Sequence, residues 1–491
     1  MENNYFKLPQ MPERPAVSAS ADYDIVIVGG GLAGLACGYE LQSRGHKVCI
    51  LEAARVGSGE TSRSSAIITF AHDPIYFRLI KKHGTQTAAE FLRLQKLGAQ
   101  KLEQIIMKNK IDCEYTRANY TMFAATEKGA KQIRQEKEAF KQLNEPFVSS
   151  LEPELPLNII EQLAIGNQAH LNPAKFIAGL SKAFEKLGGK IYENSHVKSE
   201  PKENHVEVNS CSIGFKHLII ASHYPYINIM PGFYFLKLYQ HRNCNIAFNN
   251  GIKLNNIYEG TDDEWYEFRP VKDGILCGGG AGRTGTGKYE SRFKKMEKFL
   301  SEHLKVMPHH IMTRFAAQDV MTFDLMPFVG KYSVSWDNVY VITGFNKWGF
   351  TNSFAAAQII SDLIDGKISD SIFSPQRASM LMAPIKAAQN LSDVISGFAQ
   401  LVFNTDRKKF ENIGPGQGAI VKVKGHRVGA YRDDDGRLHC VLAACPHMGC
   451  ALTWNKDELS WDCKCHGSRF DYDGRLLNGP ALINLEKKDN V

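Results

Sequence analysis

The stretch YDIVIVGGGLAGLACGYELQSRGHKVCILE, residues 23–52, runs from an apolar segment of strand length through three glycines into a helical pattern, then into a second short strand. Strand, helix and strand in so few residues make a βαβ unit. Gly29, Gly31 and Gly34 stand as G-x-G-x-x-G where the first strand meets the helix, and Glu52 closes the second strand 18 residues after Gly34. Glycines at this junction permit a tight turn and let backbone N–H groups and the helix N-terminus approach a pyrophosphate. A carboxylate at the strand end accepts hydrogen bonds from ribose hydroxyls. These residues predict a dinucleotide site without choosing between NAD and FAD.

Working outward, strands and helices alternate through most of the first 370 residues, which favours an α/β architecture. Residues 84–110 and 127–143 read as polar amphipathic helices, and 188–222 as short strands. NVYVITGF (338–345) runs into NKWGFTNSFAAAQIISDLIDGK (346–367) as a second strand, loop and helix. Residues 378–403 suggest one or two helices, and their apolar part, 391–403, lacks a basic opposite face, so packing between domains is expected over contact with a membrane. After a boundary near residue 405, short β-like pieces separated by DDDGR and DYDGR predict a small all-β module. A chain of 491 residues exceeds one hydrophobic core, so two or three domains are expected. The net charge of +7 is spread among 52 acidic residues and does not form a basic patch, which argues against nucleic acid as a partner. The first twenty residues lack an apolar core, and no uncharged apolar run reaches the roughly 18 residues of a membrane span. A cytoplasmic protein with no transmembrane segment is expected.

Beyond Glu52 the chain continues AARVGSGETSRSSAIIT (53–69), and three later stretches matter: AHLNPAKFIAGLSKAFEKLGGKIYENSHVKS (169–199), LIIASHYP (218–225) and the segment 322–366. With these the sequence resembles the FAD-dependent D-amino acid oxidase and glycine oxidase superfamily over residues 22–370. The resemblance implies a Rossmann-like α/β FAD-binding domain (22–80, 170–225 and 320–376) with an α+β substrate domain (81–169 and 226–319). It places Val197 beside the adenine, makes Arg55, Thr61, Ser64, Ser65 and Thr351 cofactor contacts, and lays the loop of Gly344, Phe345, Asn346, Lys347, Trp348, Gly349 and Phe350 along the isoalloxazine. A loop between a buried strand and a helix N-terminus can also stabilise negative charge on a reduced flavin. In EWYEFRP (264–270), Tyr266 and Arg269 can hold a carboxylate by paired hydrogen bonds, and Lys347 is a second candidate near the flavin. Gly280, Gly282 and Gly285 repeat the G-x-G-x-x-G pattern, but no strand ending in an acid follows about twenty residues on, so a separate nicotinamide site there is the lesser reading.

Eleven cysteines occur, and only the last four cluster, in AACPHMGC (443–450) and WDCKCHGS (461–468). Cys445, His447, Cys463 and His466 form C-x-H-x15-C-x-x-H. Zinc accepts two Cys and two His. Here each loop offers one thiolate and one imidazole, which suits a [2Fe-2S] cluster with both thiolates on one iron and both imidazoles on the other. With FDYDGRLLNGPA (470–481) following, residues 406–491 resemble a Rieske domain after a helical linker, 377–405. That resemblance implies a disulfide between Cys450 and Cys465 and makes GPA (479–481) the loop that covers the cluster. Two departures stand out: Lys464 replaces a frequent Pro, and Phe470 stands where high-potential members have a Tyr that donates to a ligand sulfur. Without that donor the reduction potential should be lower.

Together the domains predict an FAD-dependent enzyme that takes a hydride from a small amine or amino acid and passes electrons singly through the cluster to a protein or quinone acceptor. Two alternatives stand beside it: an NAD(P)H-driven reductase feeding a separate oxygenase, and a non-catalytic redox sensor.

Overall fold

The computed structural model describes residues 4–263, 266–286, 291–377, 410–423 and 425–488. Apart from Arg377, the helical linker expected over 377–405, with its apolar stretch 391–403, lies outside the described residues.

Strand Ala21–Val28 is flanked by Val48–Leu51 and Cys211–Ile220, both parallel to it. Its side chains are covered on both faces, and Ile25, Val26 and Ile27 are fully buried; a central parallel strand reads as a continuous apolar run for that reason. The seven-stranded sheet has the order Phe328–Ser333, Trp336–Thr343, Cys211–Ile220, Ala21–Val28, Val48–Leu51, Lys190–Tyr192, with His205–Val208 paired to Cys211–Ile220. Helix Leu32–Ser43 packs against Pro173–Lys186 and Gly349–Ile364, and the latter also meets Thr85–Asn109. Pro173 opens its helix with a fixed φ, while the Asn172 side chain accepts from the N–H groups of Ala174 and Lys175. The amphipathic stretches 84–110 and 127–143 form Thr85–Asn109 and Glu127–Gln142.

A second sheet has eight strands in the order Ile311–Thr322, Leu238–Phe248, Gly274–Arg283, Tyr266–Val271, Ile257–Gly260, Thr116–Ala124, Glu161–His170, Ile67–Ile68. Only Ile257–Gly260 and Thr116–Ala124 pair in parallel. Successive side chains of a strand point to opposite faces, and here the two faces differ. Cys244, Ile246, Tyr266 and Phe268 pack beneath helix Arg292–Leu304 through Met296 and Leu300. Tyr239, His241, Asn243 and Asn245, on the other face, line cavities against the first domain.

The third unit is all-β among the described residues, apart from one 3₁₀ turn at its start. Strands Gln417–Val423, His426–Arg432 and Leu438–Leu442 form one sheet, and Leu452–Asn455, Ser460–Cys463, Arg469–Asp471 and Leu476–Asn478 the other. Trp461, Tyr431, Phe470 and Leu485 make its core, to which the ligand-loop cysteines contribute.

Candidate flavin and iron-sulfur sites

At the glycine turn, a side chain on Gly34 would place its Cβ 1.9 Å from the Gly29 carbonyl oxygen, so no other residue fits there. Gly31 caps helix Leu32–Ser43 without a side-chain acceptor, and the Leu32 N–H donates to Thr61 Oγ1 at 3.1 Å. Glu52 accepts from Gly30 N at 2.7 Å and Ala54 N at 2.8 Å, and burial pushes its carboxyl up. An uncapped helix N-terminus behind bare glycines is a seat for a pyrophosphate, so these residues fit FAD. Val197 is buried in the apolar cluster with Val28 and Leu51. Arg55, half exposed, faces Glu193 at 3.5 Å and the Met11 carbonyl at 3.4 Å.

Between the domains lies a cavity of about 70 Å³, whose walls include Ser64, Ser65, Lys347, Gly349 and Phe350 from the first domain. Asn243, Asn245, Glu267 and Asp319 come from the second sheet. Lys347 also lines an adjoining cavity with Phe345, His72 and Trp348. Asn346 and Lys347 both have positive φ, 51° and 78°, a conformation uncommon for non-glycine residues. The Asn346 side chain holds it, accepting from Thr322 N at 2.8 Å and donating to Thr322 Oγ1 at 3.0 Å. Neither Gly344 nor Thr351 is among the residues lining these cavities. The Thr351 hydroxyl lies 2.9 Å from His72 Nε2, behind the loop, and the His72 ring stacks on Trp348.

The expected clamp of Tyr266 and Arg269 does not form. Residues three apart on a strand face opposite ways: Tyr266 stacks on Phe299 beneath the helix, with ring centroids 4.1 Å apart. Arg269 is 2% exposed and is spent on His170 Nδ1 and the Leu171 carbonyl, each at 3.2 Å. The residue that shares Arg269's face and reaches the cavity is Glu267, which sequence reasoning passed over although it lies inside the quoted EWYEFRP. Burial pushes its carboxyl up to about 7, against a hydrogen bond from Ser65. Asp319 was also missed; burial pushes it up to about 6, and Asn243 Nδ2 donates to it at 2.7 Å.

In the β module the two ligand loops converge. Cys445 and Cys463 share a thiol hydrogen bond, which lowers the pKa of Cys445 and raises that of Cys463. The His447 and His466 rings stand 4.9 Å apart. His466 is 1% exposed, yet neither ring nitrogen finds a hydrogen-bond partner among the described residues. A buried imidazole without a partner is costly, and beside two buried thiols it fits a metal cluster. Cys450 and Cys465 are joined in a disulfide that ties the loops together.

The module docks on the second sheet's outer face through residues that alternate with the cavity wall. Gln240 donates to the His466 carbonyl at 2.6 Å, Gln318 donates to the Gly467 carbonyl at 2.8 Å, and Arg242 pairs with Glu458. On the same strands Asn243 and Asp319 face the cavity. Of the 280–285 glycines, Gly285 serves this docking, while Gly280 and Gly282 face Arg292 within the second domain. The glycines lie on or just past an antiparallel strand, Gly274–Arg283, not in a βαβ unit. At Gly285 (φ +72°) a Cβ would stand 2.5 Å from Lys464 N, so the glycine admits the second ligand loop.

The family model for FAD dependent oxidoreductase matches residues 24–363, and that for the Rieske [2Fe-2S] domain matches 406–488. The chain is 32% identical, over 98% of its length and 96% of the relative's, to the putative Rieske 2Fe-2S iron-sulfur protein YhfW of Bacillus subtilis. It is 22% identical to gamma-glutamylputrescine oxidoreductase of Escherichia coli over 71% of this chain and 85% of that one. Glycine oxidase from Geobacillus kaustophilus superposes with a TM-score of 0.60 at 18% identity, covering 72% of this chain and 99% of its own. No helix among the described residues is long and apolar enough to cross a membrane. With the glycine turn, the interdomain cavity and the paired ligand loops in one chain, the protein belongs to the FAD-dependent oxidoreductase family of the D-amino acid oxidase type, binding FAD in that domain and a [2Fe-2S] cluster in its carboxy-terminal Rieske domain.

Proposed function

We propose that the protein oxidises a small cationic amine at its carbon–nitrogen bond and delivers the electrons one at a time, through the cluster, to a protein or quinone acceptor. The carrying observation is the pair of carboxyl groups, Glu267 and Asp319, that the sheet presents to the cavity, with Arg269 turned to other partners. Such a wall favours an ammonium group over a substrate carboxylate. FAD supplies the hydride acceptor and the cluster a one-electron carrier. A substrate ammonium must lose a proton before its carbon can release hydride, and Glu267, held near neutrality by burial, is matched to take it. Asp319 and Asn243 orient the amine. The oxidised product is an imine, which water hydrolyses to a carbonyl compound and an amine or ammonia. Lys347, Gly349, Phe350, Ser64 and Ser65 hold the flavin side of the cavity, and Thr61 with Gly29, Gly31 and Gly34 holds the phosphates. The names of gamma-glutamylputrescine oxidoreductase and glycine oxidase, which concern nitrogen-bearing substrates, support this class.

A single sheet separates cavity and iron loops, and layers packed on a sheet stand roughly 10 Å from it, which supports transfer within one chain. Gly285 of the 280–285 segment that would have served NAD(P)H is taken up by docking the Rieske loop. Anaerobic mixing with a panel of amines should bleach the flavin for at least one of them and leave it oxidised with NADH. Rapid bleaching by NADH with none by any amine would reverse the proposed direction of electron flow.

A further inference from the structure

Asn228 lies in the loop that leaves the Rossmann sheet after Cys211–Ile220, and the flavin chemistry gives it no task. It is 4% exposed, and its Oδ1 stands 2.6 Å from Nε2 of His447, across the domain interface. Its Nδ2 donates within its own loop to the Tyr226 carbonyl at 3.4 Å, which turns the amide oxygen toward the imidazole. The hydrogen in the contact therefore belongs to His447 Nε2, leaving Nδ1 as the nitrogen with a free lone pair.

We infer that Asn228 is a positioning residue for the iron centre, supplied by the flavin domain: it accepts from His447 Nε2–H, fixes the tautomer that presents Nδ1 to iron, and holds the cluster's reduction potential down. An acceptor on the far nitrogen of a ligating histidine fixes the ring and raises the ligand's basicity, which favours the oxidised metal. The other imidazole is held in a different way. The His466 carbonyl is gripped by Gln240, its ring edge meets Phe235 with centroids 5.8 Å apart, and no described residue accepts from either ring nitrogen. The two histidine ligands are thus unequal, and one of them has its outer partner in another domain. It follows that the iron centre takes its working potential only when the Rieske domain is docked.

The test is an anaerobic redox titration of the cluster in the full chain carrying both cofactors, read by the electron paramagnetic resonance of the reduced centre. Asn228→Asp keeps an acceptor oxygen and adds charge, so the midpoint should move down; Asn228→Leu removes the acceptor, so it should move up, with iron content unchanged. If the Leu variant loses iron, Asn228→Ala carries the upward arm. Opposite shifts support the assignment. Shifts of the same sign, no shift, or loss of iron in both apolar variants with an unmoved Asp variant would overturn it, because a purely structural contact has no reason to sort acceptors by strength.

Discussion

Glu267 shows how much chemistry a single buried position can hold. Its carboxyl is pushed from an ordinary 4.5 to about 7, chiefly by burial. In amine oxidation kcat/KM should therefore rise as pH climbs through that region and the carboxylate forms. Glu267→Gln should remove that limb and cost about 10²–10⁴-fold in rate, measured as a pH profile with the amine that reduces the wild type. The linkage runs the other way for the apoprotein: the folded state keeps the proton between pH 4.5 and about 7 while the unfolded state loses it, so this residue makes stability fall as pH rises across that window. Phe470 is the second residue to test. It is fully buried among the ligand-loop cysteines, and Phe470→Tyr should raise the cluster midpoint, while the wild-type value lies well below the roughly +300 mV upper end of the Rieske range. A wild-type midpoint at that upper end would contradict the reading. Residues whose placement is local were legible in the sequence: the glycine turn and the set Cys445, His447, Cys463 and His466, which the β module brings together, announce themselves by spacing. Glu267 was legible in principle, because it stands two residues from Arg269 and must share its face. Asn228 carries no signal at all, since its partner His447 is distant in sequence and only folding brings them together.

The decisive element is the second sheet. Its alternation sends Asn243 and Asp319 to the cavity and Arg242, Gln240 and Gln318 to the iron module. Strand content could be read from the chain, but the register that assigns each face could not. The same limit explains Tyr266 and Arg269, paired by proximity in sequence and separated by the pleat. Gly285 was visible as part of a motif, yet its purpose depends on Lys464, which packs against it. Gly285→Ala should leave flavin and iron content intact while loosening the Rieske domain, seen as faster proteolytic release of residues 406–488 and slower cluster reduction. Arg242→Leu should cost about 1.5–3 kcal/mol in chemical denaturation, because buried Glu458 loses one of its two arginines and keeps Arg469 at 3.2 Å. Although burial opposes ionisation, Arg242 and Arg469 hold the Glu458 carboxyl down to about 2 from 4.5. That contribution is fully present above pH 4.5 and is lost as pH falls toward 2.

At the scale of the whole molecule, the chain joins an FAD-dependent oxidoreductase domain to a Rieske [2Fe-2S] domain, with the second sheet as the partition between them. Domain order and cofactors could be read from the sequence. The docking that makes the fusion useful could not, because it rests on contacts such as Glu60 with Asn478 and Gln318 with Gly467, far apart along the chain. Intrachain transfer predicts that the flavin and the cluster behave as one unit. The most direct measurement is stopped-flow reduction of the anaerobic holoenzyme by an amine substrate, following flavin absorbance and the reduced-cluster signal together over a range of protein concentrations. The account predicts that cluster reduction follows flavin reduction at a rate independent of protein concentration; a cluster that stays oxidised while the flavin bleaches, or a rate that grows in proportion to protein concentration, would contradict it.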